Sequence, residues 1–188
     1  MINKKQTIKI PKTGKIGTLF RNIERETNQS VVLEIVQDMD QFESAPTRGE
    51  KAEWIKESIK RLEQQVGKKK SIVIMENCGR ECCGPKHSKH VKKLMDESKS
   101  IEEFVNKLSR GGVKFKIKDK NTIIGEYNKC YCSLVNQIQK PFSSKIYCHC
   151  GVGYIKQQFE SALNKPVKVE LVQSVITGAE KCKFLINY

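Results

Sequence analysis

Apolar residues recur at helical spacing in four stretches of this chain, and each stretch predicts a helix. These stretches are residues 50–66, 86–97, 101–108 and 153–163. Gly67 stands at a suitable stop position for the first, and Ser100 is a suitable N-cap for the third. The middle of the chain is therefore predicted to be mainly helical.

The spacing changes to strict alternation after Gly112, which predicts strands. Residues 113–118 and 122–127 alternate on either side of a short polar turn, as in a β-hairpin. Further strands are predicted at 130–135, 167–174 and 182–187, and the apolar run 72–75 is interpreted as a core strand. Together these elements predict an α+β fold in which helices pack on an antiparallel sheet.

The length of 188 residues suits one domain spanning residues 1–188. Residues 1–49 are poorly specified, although Thr7–Ile10 could form a short strand. No apolar run approaches the roughly 20 residues of a membrane-spanning helix, and the N-terminus lacks the apolar segment of a secretion signal. We therefore expect a cytoplasmic protein that does not span a membrane.

The net charge of +14, from 35 basic and 21 acidic residues, would favour a polyanionic partner. Only six of the basic residues are arginines, the side chains that are preferred for specific base and phosphate contacts. A lysine-rich solvated surface is therefore the favoured interpretation, and a non-specific nucleic-acid-associated regulator is the alternative.

The eight cysteines form two groups, of which the C-terminal one predicts a metal site. In the cytosol thiols stay reduced, which leaves metal binding, redox sensing or catalysis. The C-terminal group consists of Cys130, Cys132, Cys148, Cys150 and Cys182. Cys132, Cys148, Cys150 and Cys182 are expected to converge, and Glu126 or His149 could complete the set. Such ligands suit zinc and would also suit an iron–sulfur cluster. The alternative is that these cysteines are small buried apolar side chains that bind no metal.

The first cysteine group predicts a ligand-binding or reactive thiol site. Its candidate residues are Cys78, Arg80, Cys82 and Cys83. If the segment is helical, Cys78 and Cys82 share one face, and if it is a loop, its two glycines let backbone amides approach a ligand. Arg80 and Lys86 would favour the thiolate form of Cys82 or Cys83, and the segment should border a ligand pocket. A turn with incidental cysteines is equally open.

The C-terminal third, residues 125–188, resembles the 4-vinyl reductase family of small-molecule-binding domains. The resemblance rests on residues 148–154, on Phe159, on 167–170 and on 178–184. It implies an antiparallel sheet with helices around a ligand pocket, and in some members zinc held by cysteines and an acidic residue. Cys148, Cys182 and Glu126 match these positions, whereas Ser174 stands where zinc-binding relatives have a further cysteine.

The leading hypothesis is a metal- or small-molecule-binding protein with a cysteine-rich site, in a sensory role if the site responds to its ligand. An enzyme, a hydrolase or reductase that uses Cys82 or Cys83 or a cysteine-bound metal, is the second hypothesis. The ligand is not identified by the sequence, and a homodimer is left open.

Overall fold

The computed structural model describes residues 10–188. Five helices come first: α1 (Gly14–Glu26), α2 (Gln29–Ile35), α3 (Met39–Ser44), α4 (Arg48–Asp96) and α5 (Ile101–Leu108). They are followed by β1 (Val113–Asp119), β2 (Thr122–Tyr127), α6 (His149–Leu163), β3 (Lys168–Gln173) and β4 (Cys182–Asn187). Short 3-10 turns, Ile146–Cys148 and Val175–Thr177, precede α6 and β4. The predicted α+β fold is confirmed.

Helix α4 is interrupted at two glycines, so it consists of three straight segments. Gly67 and Gly84 have φ values of +76° and +64° with ψ near 162°, a region that is open essentially to glycine alone. The segments are residues 48–66, 68–83 and 85–96, and Pro85 opens the third, where its missing N–H costs no helical hydrogen bond. The predicted stop at Gly67 is confirmed, but a new helix follows it at once.

The four strands form one antiparallel sheet in the order β1-β2-β4-β3. Phe115, Ile123, Phe184 and Ile186 on its inner face are buried against Phe159 of α6, together with the apolar face of α5. A second apolar core lies among α1, α2 and the first two segments of α4. Helices α4 and α6 pack together between these two cores.

The contact between α4 and α6 depends on two glycines. A Cβ on Gly79 of α4 would lie 1.9 Å from the carbonyl oxygen of Cys150, and one on Gly153 of α6 would lie 1.8 Å from that of Glu76. Real Cβ atoms do not approach so closely, so each glycine lets the two backbones touch. This contact places the cysteine segment of α4 directly against the start of α6.

Two predicted strands are wrong. Residues 72–75 lie in the second segment of α4, since a short apolar run does not distinguish a strand from a buried helix. Residues 130–135 form an irregular loop with a turn, because β2 already pairs with β1 on one side and β4 on the other. The hairpin, the helix 101–108 and its N-cap at Ser100 are confirmed.

Most of the strand predicted at Thr7–Ile10 lies outside the described residues. Across residues 10–188, no helix combines the length and the apolarity that crossing a bilayer requires.

Candidate functional site

A cavity of about 290 Å³ lies where α1, the second segment of α4, the loop after β2 and the start of α6 meet. We call it the thiol cavity. Its lining residues are Gly14, Lys15, Thr18, Leu19, Met75, Cys78, Cys82, Cys132, Leu134, Tyr147 and Cys150. Four of the eight cysteines therefore surround one space, and the remaining walls are mainly apolar.

Each wall presents its thiols for a local structural reason. Cys78 and Cys82 are one helical turn apart in α4, so their side chains share one face. Cys150 lies in the first turn of α6, and its own backbone carbonyl group packs against Gly79. Cys132 comes from the irregular loop after β2. The helical alternative for the first cysteine group is confirmed, and Cys78 and Cys82 of that group line the cavity.

Two of the cavity thiols, Cys78 and Cys150, are held in the protonated form by burial. Burial, reinforced by the nearby Glu81 carboxylate, raises the pKa of Cys78 to about 12. Burial, together with the neighbouring Cys132 and Cys78, raises the pKa of Cys150 well above its ordinary value. Neutral S–H groups are weak donors that behave as small apolar surface. The cavity thus offers soft, uncharged contacts to a ligand.

One end of the thiol cavity is polar. The Lys15 ammonium lies 3.2 Å from the Ser133 hydroxyl and 3.9 Å from the Cys132 sulfur. The same sulfur lies 3.1 Å from the hydroxyl of Tyr147, a residue that is only 5% exposed. A ligand can therefore meet hydrogen-bonding groups at this end and apolar groups elsewhere.

Helix α1 forms one wall of the cavity and is tied to α4 mainly through the Glu81 carboxylate, with a further hydrogen bond from Asn77 of α4 to Glu26 of α1 at 3.2 Å. Glu81 accepts hydrogen bonds from Asn22 at 3.0 Å, from Arg25 at 3.1 Å and from Arg21 at 3.3 Å. Asn22 is fully buried, so its amide depends on this partner. The position of the α1 wall is therefore coupled to Glu81, which lies between Cys78 and Cys82 in α4.

The other cysteines of the C-terminal group make local contacts outside the thiol cavity. The Cys148 sulfur lies 2.8 Å from the Ser174 hydroxyl, and the Cys182 sulfur accepts from the backbone N–H of Val175 at 3.4 Å. Burial raises the pKa of Cys148 to about 12 and that of Cys130 to about 11. Burial therefore favours the protonated form of Cys148 and Cys130.

The predicted metal centre is not found. Within residues 10–188, no three histidine, cysteine, aspartate or glutamate side chains are grouped so that they could hold a metal ion. Glu126, the proposed acidic ligand, instead forms an ion pair with Lys181 at 2.6 Å, and the Lys181 ammonium lowers the pKa of the Glu126 carboxyl. The prediction of zinc, with an iron–sulfur cluster as its alternative, was wrong.

Arg80 and Cys83 do not form the activated thiol that the sequence predicted. Arg80 donates two hydrogen bonds to Glu160 of α6, at 2.6 and 3.1 Å. Its positive charge is therefore paired with a carboxylate of the neighbouring helix and not with a thiol. Burial raises the pKa of Cys83, which is opposite to the expected direction. Cys83 lines a separate, more open cleft with five further residues, Gly84, Pro85, Lys86, His87 and His90.

The contribution of α1 and of the 3-10 turn to the lining of the thiol cavity was not predicted from the sequence. Leu19, Thr18 and Lys15 come from α1, and Tyr147 comes from the turn before α6. The helical spacing of Ile16, Leu19, Phe20 and Ile23 was a usable signal for a core helix. Nothing in the local sequence indicates that this helix would cover the cysteines.

A family model described as a family of unknown function, DUF6144, matches residues 9–187. No curated protein matches the chain at a significant level. The resemblance to the 4-vinyl reductase family was wrong, because the match over nearly the whole chain is to this other family.

Two solved structures share the fold. One, from work on the function of heme distortion in the H-NOX family, is 15% identical and covers 93% of each chain with a TM-score of 0.50. The other, a triple mutant of an H-NOX protein from S. oneidensis in the Fe(II) ligation state, is 16% identical. It covers 92% of this chain and 93% of that chain, with a TM-score of 0.50. At these identities the likeness shows the fold alone, and the two descriptions concern heme and Fe(II) and not zinc or an iron–sulfur cluster.

Proposed function

The chain belongs to DUF6144, a family of unknown function, and from its geometry we propose that it is a small-molecule-binding domain with a sensory role. The ligand occupies the thiol cavity. The observation that carries this proposal is the cavity itself, which four separate parts of the chain surround with apolar groups and four cysteines.

The size and lining of the cavity define the ligand. Its volume of about 290 Å³ lies at the lower end of the range for ligand pockets, roughly 300–1,000 Å³, so the ligand is smaller than a typical drug. Leu19, Met75 and Leu134 offer apolar contacts, while Lys15 and Tyr147 offer polar contacts at one end. A small, largely apolar molecule without a strong charge satisfies these walls.

The sensory part of the proposal follows from the α1 wall. A ligand in the cavity touches α1 directly, and α1 is held to α4 by the Glu81 hydrogen bonds. Binding therefore stabilises one position of α1 relative to α4, which is the differential contact that a sensor needs. The fold shared with H-NOX proteins is compatible with this role and does not identify the ligand.

A heme, the group named for the similar H-NOX structures, does not fit the residues present. Heme iron takes histidine, thiolate or tyrosinate ligands, or methionine together with histidine. No histidine lines the thiol cavity to complete a pair with Met75, and burial raises the pKa of Cys78, Cys150 and Tyr147, which disfavours their anionic forms. Lys15 is the one cation in the lining, and two propionates would need more. His87 and His90 face the other cleft.

A cytosolic location is part of this proposal. All eight cysteines are free thiols, which suits a reducing compartment.

The experiment is a methyl NMR titration of the full chain with uncharged probes, benzene and indole. We expect saturable shifts of the methyl groups of Met75, Leu19 and Leu134, and no comparable shifts of Leu94 and Leu171, which pack in the sheet core. The variant Leu19→Trp, which fills the cavity, should lose these shifts. Probe-induced shifts that are confined to the sheet core or to surface residues would contradict the proposal.

A further inference from the structure

The thiol cavity contains two cysteines at the spacing that lets them bind one atom. Cys78 and Cys82 are four residues apart in the same segment of α4, and both line the cavity. Side chains at this spacing are neighbours, with Cβ atoms about 5–6 Å apart. Two further thiols, Cys132 and Cys150, line the same space.

The charge of the cavity selects among thiol-binding ligands. A divalent cation would bind thiolates and would have to displace the proton of the buried Cys78 from apolar surroundings, which is costly. Lys15 is the one cationic side chain in the lining, and its charge disfavours a second cation there. A neutral electrophile avoids this cost if it forms bonds to both sulfurs and the two thiol protons leave with its own oxygen as water.

We propose that the thiol cavity binds neutral trivalent arsenicals of the type R–As=O through Cys78 and Cys82. This inference rests on the proposed function, because it assigns a ligand class to the same cavity. In the reaction two arsenic–sulfur bonds form and two S–H bonds break. The two protons leave with the arsenic-bound oxygen as one water molecule, and arsenic stays trivalent, so no oxidant or reductant is required.

The cavity walls suit the bound product. An R–As group on two sulfurs is uncharged and polarizable, and Leu19, Met75 and Leu134 provide an apolar surface for the R group. Cys132 and Cys150 provide further polarizable contacts on the opposite wall. A monothiol in water offers neither the second sulfur nor these walls, so the cavity should hold the arsenical against such a competitor.

The test uses the reduced full-length protein and phenylarsine oxide, measured by intact-mass spectrometry in the presence of excess glutathione. We expect one phenylarsenic adduct, formed with loss of one water, that glutathione does not remove and that a small dithiol removes. The double variant Cys78→Ser, Cys82→Ser should give no glutathione-resistant adduct. The matched control Cys83→Ser, Cys182→Ser, which alters two cysteines outside the lining, should behave as the unmodified chain.

Single substitution of Cys82, the one exposed cysteine, keeps the test meaningful if the double variant fails to fold. Cys82→Ser leaves one thiol of the pair and should also lose the resistant adduct. A resistant adduct that persists in Cys82→Ser, or that is lost in the control variant, would overturn the inference.

The methyl titration separates this inference from the proposed function. If benzene or indole binds in the thiol cavity but phenylarsine oxide gives no resistant adduct there, the arsenical inference is wrong and the proposed function stands. If the uncharged probes leave the cavity methyl groups unshifted, the proposed function is wrong as well.

Discussion

At the scale of single residues, Glu76 is a partly buried charge of α4 that joins this helix to α6. Its carboxylate accepts from Lys156 at 2.6 Å and lies 3.5 Å from the ring of His149. Burial raises the pKa of this carboxyl, but the hydrogen bonds and charges of His149 and Lys156 outweigh burial and lower it below its ordinary value of 4.5.

We therefore expect Glu76 to make the fold sensitive to acid. A carboxyl whose pKa is lower in the folded state contributes stability above its unfolded pKa, and that contribution is lost as the pH falls through the folded value. The free energy of unfolding should fall as the pH drops below about 5, and Glu76→Gln should reduce that dependence. Urea unfolding at several pH values checks this, with Glu57→Gln, an exposed residue, as the control. An unchanged pH dependence in Glu76→Gln would contradict it.

Gly153 offers a second test at this scale. A methyl group there would overlap the carbonyl of Glu76, so Gly153→Ala should destabilise the fold by about 1–3 kcal/mol despite the better helix propensity of alanine. Gly151 lies in the same helix, where a Cβ would lie 3.1 Å from the movable Phe184 ring. Gly151→Ala should cost clearly less, and thermal unfolding of both variants measures the difference. Equal costs would show that the helices do not touch at Gly153.

At the scale of elements, the breaks in α4 set the direction of its cysteine-bearing segment. Gly67 has nothing within 4 Å of an added Cβ, so a substitution there tests the backbone conformation alone. Gly67→Ala should destabilise the fold by about 1–3 kcal/mol, because φ is +76° with ψ at 162°. Gln64→Ala, at an exposed helical position, should be nearly neutral in the same unfolding experiment. A neutral Gly67→Ala would indicate that α4 can continue through this position.

The second prediction for an element concerns α1. Glu81→Ala removes the acceptor for Asn22, Arg21 and Arg25, and it leaves the buried Asn22 amide with one partner fewer. Hydrogen exchange of α1 amides should become faster, while exchange in β2 and β4 should change little. Glu57→Ala, which removes only an exposed pair with Lys60, is the control. Unchanged protection of α1 in Glu81→Ala would mean that the Glu81 hydrogen bonds do not hold this wall, and would leave apolar packing and the Asn77–Glu26 hydrogen bond to do so.

At the scale of the whole molecule, the outer face of the sheet carries a group of lysines. Lys114 and Lys183 flank Glu126 across three strands, and Lys116 lies in the next row. Binding to nucleic acid stays a prediction, and any such binding should be non-specific and should fall steeply with salt. Fluorescence anisotropy with two unrelated duplexes checks this, and sequence-selective binding at physiological salt would contradict it.

The sequence predicted the parts of the fold that are determined by local pattern. The hairpin, the helix 101–108 with its Ser100 cap and the last two strands follow from alternation and capping, which neighbouring residues determine. The run 72–75 was wrong because its environment, and not its own pattern, decides between helix and strand. The pairing of β2 with β4, which leaves residues 130–135 outside the sheet, is a long-range property.

The site was predicted only in part for the same reason. Cysteine clustering indicated a ligand site, and helical spacing allowed Cys78 and Cys82 to share a face. The sequence did not indicate that these two would meet Cys132 and Cys150, since that depends on the contact of Gly79 with α6. It also did not indicate the burial that raises the pKa of Cys78 and of Cys150.

The central claim is that a small uncharged molecule binds inside the thiol cavity, and the most direct test is intermolecular NOE measurement between protein and bound indole. If indole occupies the cavity, we expect NOEs from its protons to the methyl groups of Met75, Leu19 and Leu134. NOEs only to Val73 and Leu33, which are exposed apolar residues, would contradict it.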